Sequence, residues 1–251
     1  MKTWSILNQK GGTAKTTTAQ ALGAGLILRG HKVLFVDLDA QGNLTYALGA
    51  DGGGVTVMDL LARSAKAGEA IRPTEQGDLI PSSPGLVGAD ATIASTGKEY
   101  RLKEALEPIK GSYDYCIIDA PPALGILTVN ALTAAQEAII PAQADIFSLQ
   151  GISQLYGTID TVRQYCNQAL TIKGIVLTRH NQRAVISREV AELIEQTAAG
   201  LGTKLFRTAI RECTALKECQ ATRQNIYTYA PKSNAAADYS ALVAEILGEE
   251  E

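Results

Sequence analysis

The sequence is poor in cysteine and has no long apolar segment. No run reaches the roughly 18 apolar residues that signal a membrane-spanning helix, and the N-terminus lacks the basic-then-apolar pattern of a secretory signal. The cysteines form no C-x-x-C pair, so their spacing favours neither a zinc site nor a disulfide framework; they are Cys116, Cys166, Cys213 and Cys219. These absences predict a protein of the reducing cytoplasm.

An excess of charge of one sign is also missing. The chain has 23 basic and 26 acidic residues, a net charge of −3. This excludes a protein coated in positive charge for nucleic acid, although a local basic patch remains compatible with it. Any affinity for DNA should then be weak and strongly dependent on salt. With 46% hydrophobic residues in 251, the chain can bury a sizeable core as one α/β domain or two small ones.

The sequence does contain a glycine-bearing loop between a short apolar run, Trp4 to Leu7, and an alanine- and leucine-rich segment, Thr18 to Leu28. This pattern predicts a strand, a loop and a helix. A loop of this kind at a helix start points backbone N–H groups into one hollow, which suits a phosphate. Lys15 can then reach the terminal phosphates, and the Thr16 hydroxyl can hold Mg²⁺.

The loop departs from the strict P-loop pattern, which would require glycine at Gln9 and at Ala14. It reads K-G-G-x-x-K-T instead, and it resembles the deviant Walker A motif of the ParA/MinD family of ATPases. The resemblance implies that Lys10 crosses a dimer interface to the partner's ATP. It also implies phosphate contacts by Lys10, Gly11, Gly12, Thr13, Ala14, Lys15, Thr16 and Thr17. The Ala14 methyl group is harmless there only if its φ is negative.

Acidic residues follow two apolar runs that predict buried parallel strands, Val33 to Val36 and Tyr113 to Ile118. The segments V-D-L-D-A-Q-G-N and D-A-P-P resemble switch I and the Walker B/switch II segment of the same family. By that resemblance Asp39 orients the attacking water, Asp37 supports the magnesium shell, and Asp119 accepts from magnesium-bound water; Asp39 is also assigned to the metal site with Thr16, Asp37 and Asp119. The alternative is that these acids only end their strands in solvent.

Predicted strands and helices alternate along the rest of the chain. This alternation predicts a doubly wound, mostly parallel sheet flanked by helices, in one P-loop domain over residues 1–251. Only nine residues precede Lys10, so we expect no N-terminal helix-turn-helix domain. The further predicted strands are 78–80, 137–142 and 171–178. The further predicted helices are 57–63, 85–95, 98–107, 125–135, a long helix from about 149 to 168, and 235–247.

The polar stretch from Leu177 to Arg188 holds three arginines within ten residues. ParA-type proteins carry a DNA-contacting arginine in this loop, and Arg183 is the position that lines up. We therefore assign Arg183 and Arg188, with Arg207, to contacts with the DNA backbone, which position the protein without reading bases. The alternative is that these are solvated charges at a helix entry.

Residues 208–220 stand where the family has an Ile-Pro-Arg segment near the nucleotide base. Here Ile210 occupies the proline position and Arg211 is kept. The resemblance assigns both to the nucleotide, while the change at Ile210 leaves open how the base is held. Thr214 stands at a position that is basic in DNA-binding relatives, which leaves open how tightly DNA is held.

Several functions compete within this resemblance. The first is a cytoplasmic, nucleoid-associated Mg²⁺-dependent ATPase. It forms a homodimer around ATP, binds nonspecific DNA, and drives partition with a ParB-type partner that stimulates its weak hydrolysis. The second uses the same ATPase to position protein cargo or conjugation machinery. A MinD-like membrane switch is disfavoured by the acidic tail E-I-L-G-E-E-E, and a metal-cluster carrier is disfavoured by the cysteine spacing.

Overall fold

A single sheet organises the computed structural model, which describes residues 1–181 and 184–249. Its strands are β1 (Lys2–Ile6), β2 (Val33–Asp37), β3 (Arg72–Thr74), β4 (Gly77–Ile80), β5 (Tyr115–Asp119), β6 (Glu137–Ala142) and β7 (Thr171–Leu177). Their order across the sheet is β3-β4-β2-β5-β1-β6-β7. All neighbours are parallel except β3 and β4, which form an antiparallel hairpin at one edge. The predicted doubly wound, mostly parallel sheet is confirmed.

Helices cover both faces of this sheet. In the described residues they are α1 (Lys15–Leu28), α2 (Asn43–Ala47), α3 (Val57–Leu61), α4 (Ala67–Ala70), α5 (Ala89–Thr92), α6 (Arg101–Leu106), α7 (Ile126–Ala134), α8 (Ile146–Tyr165), α9 (Val185–Gly200), α10 (Ala215–Ala221), α11 (Ile226–Tyr229) and α12 (Asn234–Leu247). Short 3₁₀ helices occupy Pro84–Gly88, Lys98–Tyr100 and Glu107–Ile109. No helix within the described ranges combines the length and apolar character needed to cross a membrane.

The predicted elements differ from the observed ones mainly where glycine or proline interrupts a helix. The helix expected over 85–95 is a 3₁₀ turn followed by one turn of α5, since glycine in a helix interior is unfavourable. The helix expected over 98–107 gives way to a 3₁₀ turn at Pro108. The first helix begins at Lys15, three residues earlier than expected. The strand predicted over 137–142 has those bounds.

The core lies in two layers, one on each face of the sheet. One layer packs α3, α6, α7, α8 and α9 against the strands, and the other packs α1 and α12. Trp4 belongs to the second layer and is 1% exposed. Its indole Nε1 donates a hydrogen bond of 2.8 Å to Glu137, and its ring lies 5.0 Å from that of Tyr115. The tryptophan therefore ties β1 to both of its neighbours, β5 and β6.

The sheet topology brings three strand ends to one place. In the register of the sheet Asp119 is paired with Ile6 on one side and with Asp37 on the other. The chain leaves β1 between β5 and β6, so the glycine-bearing loop lies beside the two acids. Open parallel sheets bind ligands at this edge, outside the carboxyl ends of the strands. The fold thus assembles the predicted phosphate loop and the predicted acidic residues at one edge.

Candidate nucleotide-binding site

The glycine-bearing loop ends at Ala14, which caps α1 without a side-chain hydrogen bond. Gly12 and Ala14 both have left-handed backbones, with φ of 76° and 62°. A side chain at Gly11 or Gly12 would meet no atom within 4 Å, so the loop borders open space. Because the φ of Ala14 is positive, the condition under which its methyl group would be harmless is not met. An L-residue in this conformation costs on the order of 1 kcal/mol relative to glycine.

Lys15, the first residue of α1, is 8% exposed. Its Nζ donates to the carbonyl of Lys10 at 3.3 Å. Burial lowers the pKa of Lys15, while the charges of Asp119 and Asp39 act in the opposite direction. A largely buried ammonium at the start of a helix favours an anionic ligand, because desolvated charge is costly until it is paired.

Lys10 does not line the cavity next to the loop in this conformation; it is paired with a side chain of its own subunit. Its Nζ lies 2.5 Å from Asp145 Oδ2 and 6.0 Å from the centroid of the Phe147 ring. Asp145 also caps α8, accepting from the backbone N–H of Ser148 at 3.0 Å. Burial alone would raise the pKa of Asp145, but the hydrogen bonds from Lys10 and Ser148 lower it. The ammonium of Lys10 is therefore paired within the chain, and its contact with a partner's nucleotide stays a prediction.

Asp37 is fully buried at the end of β2, and protein donors occupy both of its oxygens. Oδ1 accepts from the backbone N–H of Asp39 at 3.1 Å, and Oδ2 accepts from the N–H and hydroxyl of Thr45 at 2.8 Å. Burial raises the pKa of Asp37 to about 6, against the effect of these hydrogen bonds. The carboxylate therefore fixes the loop that carries Asp39, and its part in the magnesium shell stays a prediction.

Asp119 and Thr16 form the pair that best fits Mg²⁺. Asp119 is 1% exposed, and its Oδ2 accepts from the Thr16 hydroxyl at 2.6 Å. Its Oδ1 is buried and has no hydrogen-bond partner among the described residues. Burial, followed by the charge of Asp37, raises the pKa of Asp119 well above its ordinary value. A carboxylate oxygen without a donor beside a hydroxyl suits a hard cation, which binds oxygen ligands.

The described residues hold no cluster of three histidine, cysteine or acidic side chains that would complete a metal site. This fits Mg²⁺, which usually takes one or two carboxylates and completes its shell with phosphate oxygens and water. Asp39 lies on the wall of the same cavity, with Oδ1 accepting from the backbone N–H of Gln41 at 3.0 Å. The hydroxyl of Ser82 donates to the Asp39 carbonyl at 2.5 Å. The loop therefore holds this carboxylate beside the phosphate loop.

The cleft has a wide part and a narrow part. The wide part, the phosphate cavity, has a volume of about 480 Å³ and is lined by Gly11, Gly12, Ala14, Lys15, Thr16, Thr17, Asp39, Asn43, Tyr46, Pro122, Arg179, Gln220 and Ala221. The narrow part, the base recess, has about 50 Å³ and is lined by Ala14, Thr17, Thr178, Arg179, Ile210, Glu212, Cys213, Leu216, Lys217, Gln220 and Tyr239. The combined space suits a small ligand with an anionic end.

The base recess only partly matches the sequence-based assignment. Ile210 lines it as a buried residue whose backbone pairs with Leu177 and His180. Arg211 is not among the described residues that line either cavity. Its guanidinium binds Asp238 instead, with Nε at 3.0 Å and Nη2 at 2.6 Å. The assignment of Arg211 to the nucleotide stays a prediction, and in this structure an ion pair with α12 holds that side chain away from both cavities.

Sequence reasoning missed most of the residues that close the cleft. Gln220 on α10 donates to the Thr17 hydroxyl at 3.0 Å, and Tyr46 on α2 donates to the carbonyl of Ala221 at 3.4 Å. The guanidinium of Arg223 lies 4.5 Å from the centroid of the Tyr46 ring. No local motif announces these contacts, since they join segments far apart in the chain. Asn43, Pro122 and Gln220 stood within segments that the resemblance had marked, but without an assigned role.

The predicted DNA-contacting residues are only partly visible. Arg183 lies outside the described residues. Arg188 is exposed in the first turn of α9, which is held to the end of β7 by a 3.1 Å hydrogen bond between His180 Nδ1 and Ser187 Oγ. Arg207 is also exposed, but it lines a separate cleft with acidic neighbours, among them Glu245. Of the predicted DNA-contacting residues, the structure therefore shows Arg188 exposed at the N-terminal end of α9. The surroundings of Arg207 are mixed in charge.

Comparison with known proteins gives consistent matches over nearly the whole chain. A family model described as an AAA domain matches residues 1–172. The chain is 40% identical over 247 residues to the sporulation initiation inhibitor protein Soj of Bacillus subtilis, covering 96% of each protein. It is 38% identical over 247 residues to the chromosome partitioning protein ParA of Myxococcus xanthus, covering 96% of this chain and 86% of that protein.

Solved structures agree in fold. The apo form of McdA from Cyanothece matches with a TM-score of 0.89 and 28% identity, covering 99% of this chain and 100% of that one. A cobyrinic acid a,c-diamide synthase from Mycobacterium smegmatis, with an ATP analog and magnesium bound, matches with a TM-score of 0.85 and 34% identity, covering 98% and 94%. Nucleotide and magnesium are therefore bound by a protein of the same fold.

Proposed function

Because the chain belongs to the ParA/MinD family of deviant Walker A ATPases, we propose that it is a partition motor that closes as an ATP-sandwich dimer on nonspecific DNA. A ParB-type partner then stimulates hydrolysis, and the dimer releases the DNA. The observation that carries this proposal is the phosphate end of the cleft. There the largely buried Lys15 and the unpartnered Asp119 oxygen stand ready for a nucleotide and its Mg²⁺.

The residues of the cleft divide the chemistry of phosphoryl transfer among them. Thr16 and Asp119 hold the magnesium ion, which neutralises phosphate charge when bound. Lys15 and the N-terminus of α1 stabilise the negative charge on the transferring group. Asp39, positioned by Asp37 through its backbone N–H, aligns the attacking water. Catalysis of this kind depends on positioning and electrostatics, and the protein forms no covalent bond to the phosphoryl group.

The surface around Lys10 supports a dimer that closes over the nucleotide. Next to the Lys10–Asp145 pair, the first turn of α8 presents Ile146 and Phe147, which are 55% and 67% exposed. Adjacent exposed apolar side chains are typical of a surface that another protein covers. The ATP of a second subunit gives Lys10 a stronger anionic partner than Asp145. Dimer closure would therefore bury Ile146 and Phe147 and, in the same step, move the ammonium of Lys10 from Asp145 to the ATP of the second subunit.

We assign DNA binding to the N-terminal end of α9. Arg183 and Arg188 contact DNA phosphates there, and Arg207 is a further contact. The chain as a whole is slightly acidic, so one subunit should hold DNA weakly. Two subunits double the number of contacts in one rigid body, which makes binding depend on ATP. This dependence would make the protein associate with the nucleoid only in its ATP state.

We would test the proposal by measuring binding of arbitrary duplex DNA at low and moderate salt, with ATP, with ADP and without nucleotide. The Asp39→Ala variant, expected to hydrolyse ATP on the order of 100-fold more slowly, should hold the dimer long enough to measure. We expect binding only with ATP, lost as salt rises. Arg183→Ala and Arg188→Ala should each reduce it, whereas Lys103→Ala, which removes an exposed charge on α6, should not.

The same experiment separates the alternative function. ATP-dependent dimers that bind no DNA at any salt would contradict the DNA-partition proposal. That result would support an ATPase that positions protein cargo, whose dimer surface recognises a protein in place of DNA. Absence of any ATP binding would contradict both the DNA-partition function and the protein-positioning function.

A further inference from the structure

At the base end of the cleft, one arginine has no role in the sequence-based assignment. We propose that Arg179 holds bound ATP by laying its guanidinium plane against the adenine ring. The proposal rests on the proposed function to the extent that the cleft binds ATP. It adds a base-contacting residue at a site where the resemblance pointed to Ile210 and Arg211.

The backbone around Arg179 is fixed on both sides. The hydroxyl of Thr178 donates to the Thr13 carbonyl at 3.1 Å, and its N–H donates to Ala142 at 2.8 Å. The N–H of His180 donates to the Ile210 carbonyl at 2.9 Å. Between these anchors Arg179 has φ of 50°, in the left-handed region that disfavours side chains. Such strain is retained when the surroundings impose it, and it is concentrated at functional sites.

Arg179 lines both parts of the cleft, together with Ala14, Thr17 and Gln220. These four residues therefore form the neck between the phosphate cavity and the base recess. A nucleotide with its phosphates on the loop at Gly11 and Gly12 must pass this neck with its sugar and base. Arg179 is thus placed beside the base and sugar.

The charge of Arg179 is available to a ligand. Across residues 1–181 and 184–249, no hydrogen bond or ion pair holds its guanidinium, and the residue is exposed. Arg211 differs in this respect, because Asp238 occupies its guanidinium from the side. Two other charged residues, Glu212 and Lys217, also line the recess. Among the described residues the acidic Glu212 forms no ion pair with Arg179 within 4 Å, and Lys217 carries the same sign of charge as Arg179.

The chemistry of the recess favours stacking over a charge-to-charge contact. Its walls include the apolar residues Ile210 and Leu216 and the buried ring of Tyr239. These offer the adenine an apolar surface on one side. A planar guanidinium stacks on aromatic faces, which an ammonium group does less well. Arg179 would then close the other face of the base and replace the support that proline gives in relatives.

The test is calorimetric titration of the full chain with ATP, ADP and inorganic tripolyphosphate. In Arg179→Ala we expect ATP and ADP to bind roughly tenfold more weakly, the size of effect found for stacking on a base. Tripolyphosphate, which has no base, should bind as to the wild type. Alanine is as strained as arginine at positive φ, so the substitution leaves the backbone cost unchanged.

Two further variants make the outcome decisive. Arg179→Lys keeps the positive charge but lacks the planar guanidinium, so its ATP affinity should fall nearly as far as that of Arg179→Ala. Lys103→Ala on distant α6 should keep the ATP affinity of the wild type. Weaker tripolyphosphate binding in Arg179→Ala would overturn the proposal, because it would place the guanidinium on the phosphates. Unchanged ATP affinity in Arg179→Ala would overturn it as well. Failure of the wild-type protein to bind ATP would instead refute the proposed function.

Discussion

The two ends of the nucleotide cleft are built differently. The loop and the acids of the phosphate end come from short continuous segments at residues 8–17, 37–39 and 119, where backbone N–H groups and carboxylates lie at fixed strand ends, and residues of α2, α10 and the segment after β7 close the cavity around them. The base end comes from four separated parts of the chain, which lie at the start of α1, just after β7, at and before α10, and on α12. Phosphate binding is thus encoded locally, in motifs. Base binding is encoded in long-range side-chain contacts, which can change without disturbing the loop.

The largest expected effect tests whether the phosphate end is completed by a second subunit. Lys10→Ala should still bind nucleotide, since Lys15 and the loop remain. Its ATP-dependent dimer should weaken by about 100-fold or more, because a buried cation is lost from the phosphates. Analytical ultracentrifugation with ATP measures this directly. Normal dimerisation of Lys10→Ala would remove this lysine from the phosphate site.

Asp145→Asn is the matched control for Lys10→Ala. Asparagine preserves the cap of α8 but frees Lys10 from its half-exposed ion pair. Such a pair contributes about 1 kcal/mol at most, so the ATP dimer should be unchanged or up to about fivefold tighter. A dimer as weak as that of Lys10→Ala would mean that Asp145 itself belongs to the interface.

A second prediction concerns the folding free energy that is lost when Asp119, a buried acid of the phosphate end, is ionised. Burial raises the pKa of Asp119, so its ionised form costs folding free energy at pH 8, and protonation at lower pH removes that cost. Without ligand, Asp119→Asn should therefore melt above wild type at pH 8, by about 2 to 4 °C for each kcal/mol. The difference should shrink towards pH 5.5.

Thermal melting with Mg²⁺ and ATP completes this test. Wild type should then gain more than Asp119→Asn at pH 8, because only the carboxylate holds the metal, and the order of the two melting temperatures should reverse. A difference between the two proteins that stays constant with pH would show that Asp119 is not destabilising when ionised.

The smallest expected effect concerns Ala14, which borders both ends of the cleft. Glycine should relieve the left-handed strain, partly offset by the greater entropy of its unfolded chain. We expect Ala14→Gly to raise the melting temperature by about 1 to 3 °C and to change ATP affinity by less than tenfold. Ala24→Gly, in the regular part of α1, should lower it instead. A gain in affinity beyond tenfold would mean that the methyl group obstructs the phosphates.

The sequence alone predicted the fold, and the segments that it assigned to the phosphate end do meet at one edge of the sheet, while the roles of their residues stay predictions. Apolar runs at Val33 and Tyr113 marked buried strands, and strand alternation is enough to bring their ends to one edge of the sheet. The hairpin strand β3 was missed because its three residues include Pro73, which argues against a strand. The pairings of Arg211 with Asp238 and of Lys10 with Asp145 were also missed, since they join residues 27 and 135 positions apart.

Trp4, the one tryptophan of the chain, offers a practical advantage. It is sealed in the core with its indole on Glu137, and it lines neither part of the cleft. Its fluorescence should therefore stay blue-shifted and constant while nucleotide binds, and should move to the red only when the central strands separate. The emission of Trp4 is thus an intrinsic probe of whether the protein is folded. In every titration of a variant, the emission maximum shows whether a lost affinity reflects an altered site or a molecule that has begun to unfold.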